Sequence, residues 1–218
     1  MDEIGNLLDR PRLYCNIDGL GELAGGAMCL GFALILWPMT HTPAGSVWER
    51  IPFFAFVVLM VLIHYGTKAA KTRITYPRTG FVEYRKQWNT SAIAAVSGAL
   101  AAVGLSVVSR RHWDVSMLAP LAGLAFAAAY GYYFARAVRW KWAIAGAMAL
   151  TPFVIAFFPT DVLTALGSDS PAAHPARARL SGSILVSLMV YGTMLLVSGG
   201  ISLWLYLRRT PAPAQDGQ

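Results

Sequence analysis

The sequence predicts an all-α membrane protein, a six-transmembrane helix bundle with a short cytoplasmic β-hairpin between helices 2 and 3. Three observations carry this. Of 218 residues, 56% are hydrophobic and only 13% charged, where soluble domains carry roughly 25% charged residues. The charges are bunched, leaving charge-free runs at 23–48, 51–67, 87–109, 115–135, 142–160 and 180–207, each close to or above the roughly 20 apolar residues that cross a bilayer core. The tryptophans, Trp37, Trp48, Trp88, Trp113, Trp140, Trp142 and Trp204, fall at or near the ends of those runs, where indole rings meet the headgroup boundary. Such a composition excludes a disordered chain, a disulfide scaffold and a soluble enzyme.

Spans are expected over 19–37, 51–67, 90–108, 115–135, 142–159 and 181–207, within one transmembrane domain over 1–209. The N-terminus, Met1-Asp2-Glu3, is acidic where a secretory signal is basic, so no cleaved leader is expected. Pro38 and Pro43 close the first span, and Pro52 opens the second at a position that tolerates proline. Cys15 and Cys29, if on one helix, stand about 21 Å apart, too far for a disulfide; Cys29 reads as a small packing residue. Arg110, Arg111 and Asp114 separate the third and fourth spans, which should form a tight antiparallel hairpin. Small residues at four-residue spacing let helices approach closely: Gly21, Gly25, Cys29 and Ala33; Ala94, Gly98, Ala102 and Ser106; Ala119, Gly123, Ala127, Gly131 and Ala135. Pro120 and Pro152 lie inside spans and predict kinks. Residues 160–180 read as a turn-rich external loop, and 210–218 as a disordered cytoplasmic tail.

Orientation follows from the cations. With the N-terminus cytoplasmic, thirteen of the eighteen Lys and Arg residues fall on that side and five on the other, which favours both termini inside. The net charge of +7 therefore reads as topology and attraction to anionic lipid; no nucleic-acid recognition motif accompanies it.

Ionisable residues within apolar spans are the first place to look for function. Asp18 and Glu22, four apart, share a helix face at the start of span one, and His64 lies about one turn from the end of span two. With both ends cytoplasmic, the three are expected to form a polar cluster just inside the boundary, read as a structural cluster or as an ion or proton site. Between spans two and three, Lys71, Arg73, Tyr76, Arg78, Tyr84, Arg85 and Lys86 build a basic, aromatic segment. Its β-rich runs flank Pro77-Arg78-Thr79-Gly80, and so predict the hairpin. That segment is expected to bind anionic lipids, or to dock a membrane or cytosolic protein partner.

The string Tyr76-Pro77-Arg78-Thr79-Gly80-Phe81-Val82-Glu83-Tyr84-Arg85, with Asn16-Ile17-Asp18-Gly19 at the start of span one, resembles uncharacterised bacterial multi-pass inner-membrane proteins. The resemblance covers a small part of the chain and brings no activity with it. It implies that the two cytoplasmic segments belong together.

His41, His112 and His174 have no second ligand at useful spacing, so no metal is expected, and no cofactor motif is present. Esterase, zinc-protease, P-loop and dinucleotide patterns are missing. The reading is a non-catalytic accessory or scaffold subunit of the inner membrane. A small transporter with a polar site near Glu22 and His64, and a membrane-embedded enzyme, are the alternatives. A homo-oligomer would use whichever small-residue stripe stays unpaired.

Overall fold

The computed structural model describes residues 18–40, 51–79, 118–135, 138–167 and 175–210, and these are helical almost throughout. In chain order they form α1 (Leu20–Thr40), α2 (Ile51–Ala70), a π-helical turn π1 (Lys71–Thr75), the single turn α3 (Tyr76–Thr79), α4 (Leu118–Tyr130), a second π turn π2 (Gly131–Ala135), α5 (Lys141–Ala156), α6 (Thr160–Gly167) and α7 (Pro175–Arg209). Leu20–Pro38, Phe54–Arg78 and Ala178–Arg209 are each long and apolar enough to cross a membrane. Lys141–Ala156 with Thr160–Gly167, bent by 100°, makes a fourth crossing if the pair is one span. The described chain is thus helical, with helices long and apolar enough to span a membrane; the predicted third span, 90–108, lies outside the described residues.

α7 is the organising helix, packing along α1 and against α5 and α6. α1 runs antiparallel to it, Gly19 facing Ser202 and Gly26 facing Gly192 and Leu196. α2 returns along the outside of α1, with Phe32 and Phe56 ring centroids 4.6 Å apart and Gly31 against Leu59. α4 and α5 pair antiparallel, Gly123 against Pro152 and Gly131 against Trp142. Cys29, Ala127, Tyr130, Ala135, Ala145, Met148, Tyr191 and Leu195 form the core between them, and the Phe126 and Tyr191 rings stack at 4.9 Å. Outward faces are apolar, Phe54, Val58, Leu62, Leu150, Val154 and Phe157 among them, as lipid-solvated helices require.

The predicted β-hairpin is corrected. Residues 71–79 continue α2 as helix, and the described residues contain no strand. The β-branched and aromatic run Ile74-Thr75-Tyr76 favours a strand only weakly, while a helix already twenty residues long adds turns without a new nucleus. Proline is accommodated by widening: the Tyr76 N–H bonds to the Lys71 carbonyl, five residues back. The turn is therefore open just ahead of Pro77, which has no N–H and would press on the carbonyl four residues back.

Stripe phases also differ from expectation. On α1 the buried face runs through Glu22, Gly26, Cys29 and Ala33, steps of four, three and four that follow 3.6 residues per turn; Gly21 and Gly25 are off its centre. On α4 the four-residue stripe Gly123, Ala127, Gly131 and Ala135 is buried throughout. Four-residue steps drift by about 40° each on an α-helix, and the wider turn of π2 takes up part of that drift. Pro152 lies buried inside α5 without ending it; the sharp bend comes at Phe157-Phe158-Pro159.

Candidate functional site

The ends of five helices meet at one end of the bundle: the start of α1 and α5 and the finish of α2, α4 and α7. Glu22, in the first turn of α1, is completely buried there. Its Oε1 accepts from the Tyr130 hydroxyl at 2.6 Å and the Ser198 hydroxyl at 2.6 Å. Its Oε2 accepts from Lys141 Nζ at 2.6 Å and the Ser202 hydroxyl at 3.2 Å. The carboxylate thus draws α1, α4, α5 and α7 together through four donors, all of them buried.

Each position has a local reason. Ser198 and Ser202 are four apart and share a face of α7. Tyr130 ends α4 one residue ahead of π2, and its ring packs at 5.5 Å on Phe134. Lys141 opens α5, where the helix dipole disfavours a cation, so helix stability alone does not explain it. Its stem reaches inward to Glu22, 1% exposed, with Trp140 alongside at 5.9 Å. A buried charge with a hydrogen-bonded counter-charge is tolerable; either charge alone is not.

Tyr130 Oη and Ser198 Oγ also approach each other, at 2.9 Å. Three oxygens therefore form a triangle in which two hydroxyls share two protons among three contacts. With both protons directed to Glu22, the third side carries none.

Asp18 builds a second cluster beside the first. Gly19 adopts a φ of 74°, a left-handed conformation that glycine takes without strain, and this turns the Asp18 carboxylate back onto the helix start. Oδ1 accepts the Leu20 N–H at 3.1 Å, and Oδ2 accepts the Thr75 hydroxyl at 2.8 Å. Tyr206 of α7 donates to the Thr75 carbonyl at 3.3 Å. Asp18, fully buried, thus ties π1 to the start of α1.

Of the three residues expected to cluster, Asp18 and Glu22 are both buried at the start of α1, each with its own set of partners, and His64 does not join them. Its side chain is exposed and its ring meets Tyr65 edge-on at 5.6 Å. The partly buried face of α2 runs through Phe56, Met60, Ile63 and Thr67, and one residue turns the chain by about 100° away from it. Depth and azimuth both separate His64 from Glu22: with Gly31 packed on Leu59 and Asp18 bonded to Thr75, antiparallel α1 and α2 bring Glu22 level with the stretch of α2 beyond His64, not with His64 itself. Tyr130, Lys141, Ser198, Ser202, Thr75 and Tyr206 were not singled out from sequence. Lys141, a lone cation between Trp140 and Trp142, and the serines inside the apolar run of α7 were the available signals.

In the basic segment, Arg73 is exposed, while Lys71, Tyr76 and Arg78 are half-buried. Tyr84, Arg85 and Lys86 lie outside the described residues. Lys68, Lys71, Arg73, Arg78, Arg139, Arg208 and Arg209 all belong to the end where Glu22 sits, with Arg177 and Arg179 in the first turns of α7 at the other. Among the described residues no group of three His, Cys, Asp or Glu side chains comes together as a metal site would require.

No family model, curated protein or solved structure matches this chain. The functional reading therefore rests on the geometry alone.

Proposed function

We propose that the protein is a non-catalytic accessory or scaffold subunit of the bacterial inner membrane, a six-span bundle with both termini cytoplasmic, whose buried polar lock holds a basic platform at the cytoplasmic end. The observation that carries this is the saturation of Glu22. A carboxylate offers about four acceptor positions, and all four are taken by the protein's own donors. A carboxylate poised to take a cargo ion keeps a position open; this one is committed to joining four helices. Polar groups in a membrane bundle act in this way to fix which helices pair and in what register. The orientation is supported by the gathering of cations at one end, as the positive-inside rule requires of the cytoplasmic side.

The test is co-purification in mild detergent from native membranes, with wild type and with Arg73→Glu, an exposed platform residue. A scaffold loses a specific membrane or cytosolic protein partner with Arg73→Glu while its own fold and yield stay unchanged. Identical co-purifying sets for the two proteins would remove this reading.

A second reading, a proton-conducting or proton-coupled transporter, is favoured by the Tyr130–Ser198–Glu22 triangle, which has room for one further proton on its third side. Proteoliposomes loaded with a pH-sensitive dye decide it. A proton flux abolished by Glu22→Gln in a variant that still folds would replace the scaffold reading; equal leak in wild type, Glu22→Gln and empty vesicles would eliminate the transporter.

A further inference from the structure

The continuation of α2 carries Lys71, Thr75 and Arg78 at spacings of four and three, a single helical stripe. Thr75 is its anchor, held by Asp18 through its hydroxyl and by Tyr206 through its carbonyl. Arg78 lies one turn beyond Thr75, and Arg209 lies one turn beyond Tyr206 on the same face of α7. Since α2 and α7 run in the same direction here, both arginines stand at one level, just past the hydrogen bond that joins their helices. Arg78 is a part-buried residue whose Nη1, itself buried, has no hydrogen-bond partner among the described residues. A guanidinium nitrogen withdrawn from water requires an acceptor, and an anionic oxygen presenting two lone pairs matches its planar fork best. Trp204 is 57% exposed, with the Arg208 guanidinium over its ring at 5.3 Å, which sets this level at the headgroup boundary.

We propose that Arg78 and Arg209 form a binding site for the phosphate of an anionic phospholipid of the adjacent leaflet. The proposal deepens the reading of the basic end as a platform and depends on it only for facing the membrane boundary. A phosphodiester at that level draws the part-buried Arg78 side chain outward and gives Nη1 the acceptor it lacks among the described residues, and the exposed Arg209 adds the second charge. The occupant is a lipid headgroup and not free phosphate, because the site opens beside apolar spans that are themselves lipid-solvated.

The test uses the full chain in nanodiscs of mixed phosphatidylglycerol and phosphatidylcholine, extracted into mild detergent, with retained lipid counted by native mass spectrometry. Wild type should retain phosphatidylglycerol selectively, and millimolar inorganic phosphate should not displace it. Arg78→Gln and Arg209→Gln should each lower retention by about five-fold, the loss expected for one basic residue near an anionic surface, while Arg179→Gln at the other end changes nothing. Equal retention of both lipids by wild type overturns the proposal without recourse to any variant, so a poorly folding Arg78→Gln does not shield it. Displacement by inorganic phosphate, an Arg179→Gln effect equal to that of Arg78→Gln, or an acidic protein cross-linked at Arg78 in place of lipid also overturns it. Retained lipid selectivity with no co-purifying partner would remove the scaffold function and leave the site intact; the reverse result would remove the site alone.

Discussion

The two ends of the bundle bring helices together by different means. At the basic end, Glu22 gathers four helices through an ion pair and three hydroxyls. At the far end, α6 and α7 touch backbone to backbone, with Gly167 against Ala178 and Gly182 against Leu163, so that a Cβ on either glycine would collide with a main-chain carbonyl. Lipid tails are as apolar as leucine and supply no hydrophobic drive between helices, so contact must come from close packing or from polar pairing. The far end uses the first, which tolerates no added volume. The basic end adds the second, which tolerates no unpaired charge, to a close approach of its own between Gly19 and the Gly199 carbonyl.

Lys141→Met should have the largest effect, leaving Glu22 buried and uncompensated at a cost of about 3–5 kcal/mol. This is read as a shift in the unfolding equilibrium in mixed mild-detergent and dodecyl sulfate micelles, followed by far-UV circular dichroism. Adding Glu22→Gln to that variant should restore much of the loss, because the remaining amide is neutral; no recovery would mean that packing, not charge, holds this end. Tyr130→Phe removes one charge-assisted donor and should cost about 1.5–3 kcal/mol in the same assay. An effect near zero would show that Ser198 alone satisfies Oε1.

At the glycine end, Gly182→Ala should cost about 1–3 kcal/mol through overpacking, and a neutral result would dissolve the contrast between the two ends. The smallest effect belongs to Gly66→Ala on α2, where the added methyl meets nothing within 4 Å. It should leave stability within about 0.5 kcal/mol of wild type, as surface changes usually do. A large loss there would place an uncharted partner on that face.

The apolar runs were legible because bilayer thickness fixes span length: the first, second and last runs correspond to α1, α2 and α7. Asp18 and Glu22 were legible as expensive residues at the edge of a span. Thr75 was misread because local β-propensity is weak beside the continuation of an existing helix. His64 was misplaced in both depth and azimuth, because the helix of α2 runs on through π1 and α3 and so shifts its register against α1. Lys141 was passed over as one more boundary cation, since nothing local distinguishes a lysine that reaches inward from one that snorkels.

The sequence by itself determined that the chain carries runs long and apolar enough to cross a membrane, and that its cations are bunched between them. Only the tertiary structure decided that Lys141 meets Glu22 across 119 positions of sequence, and that Thr75 meets Asp18 across 57. The physical reason is that composition sets how far into the membrane a residue can sit. Which way it faces, and what it faces, depends on the rotation and register of each helix, and those are fixed only when the helices pack against one another.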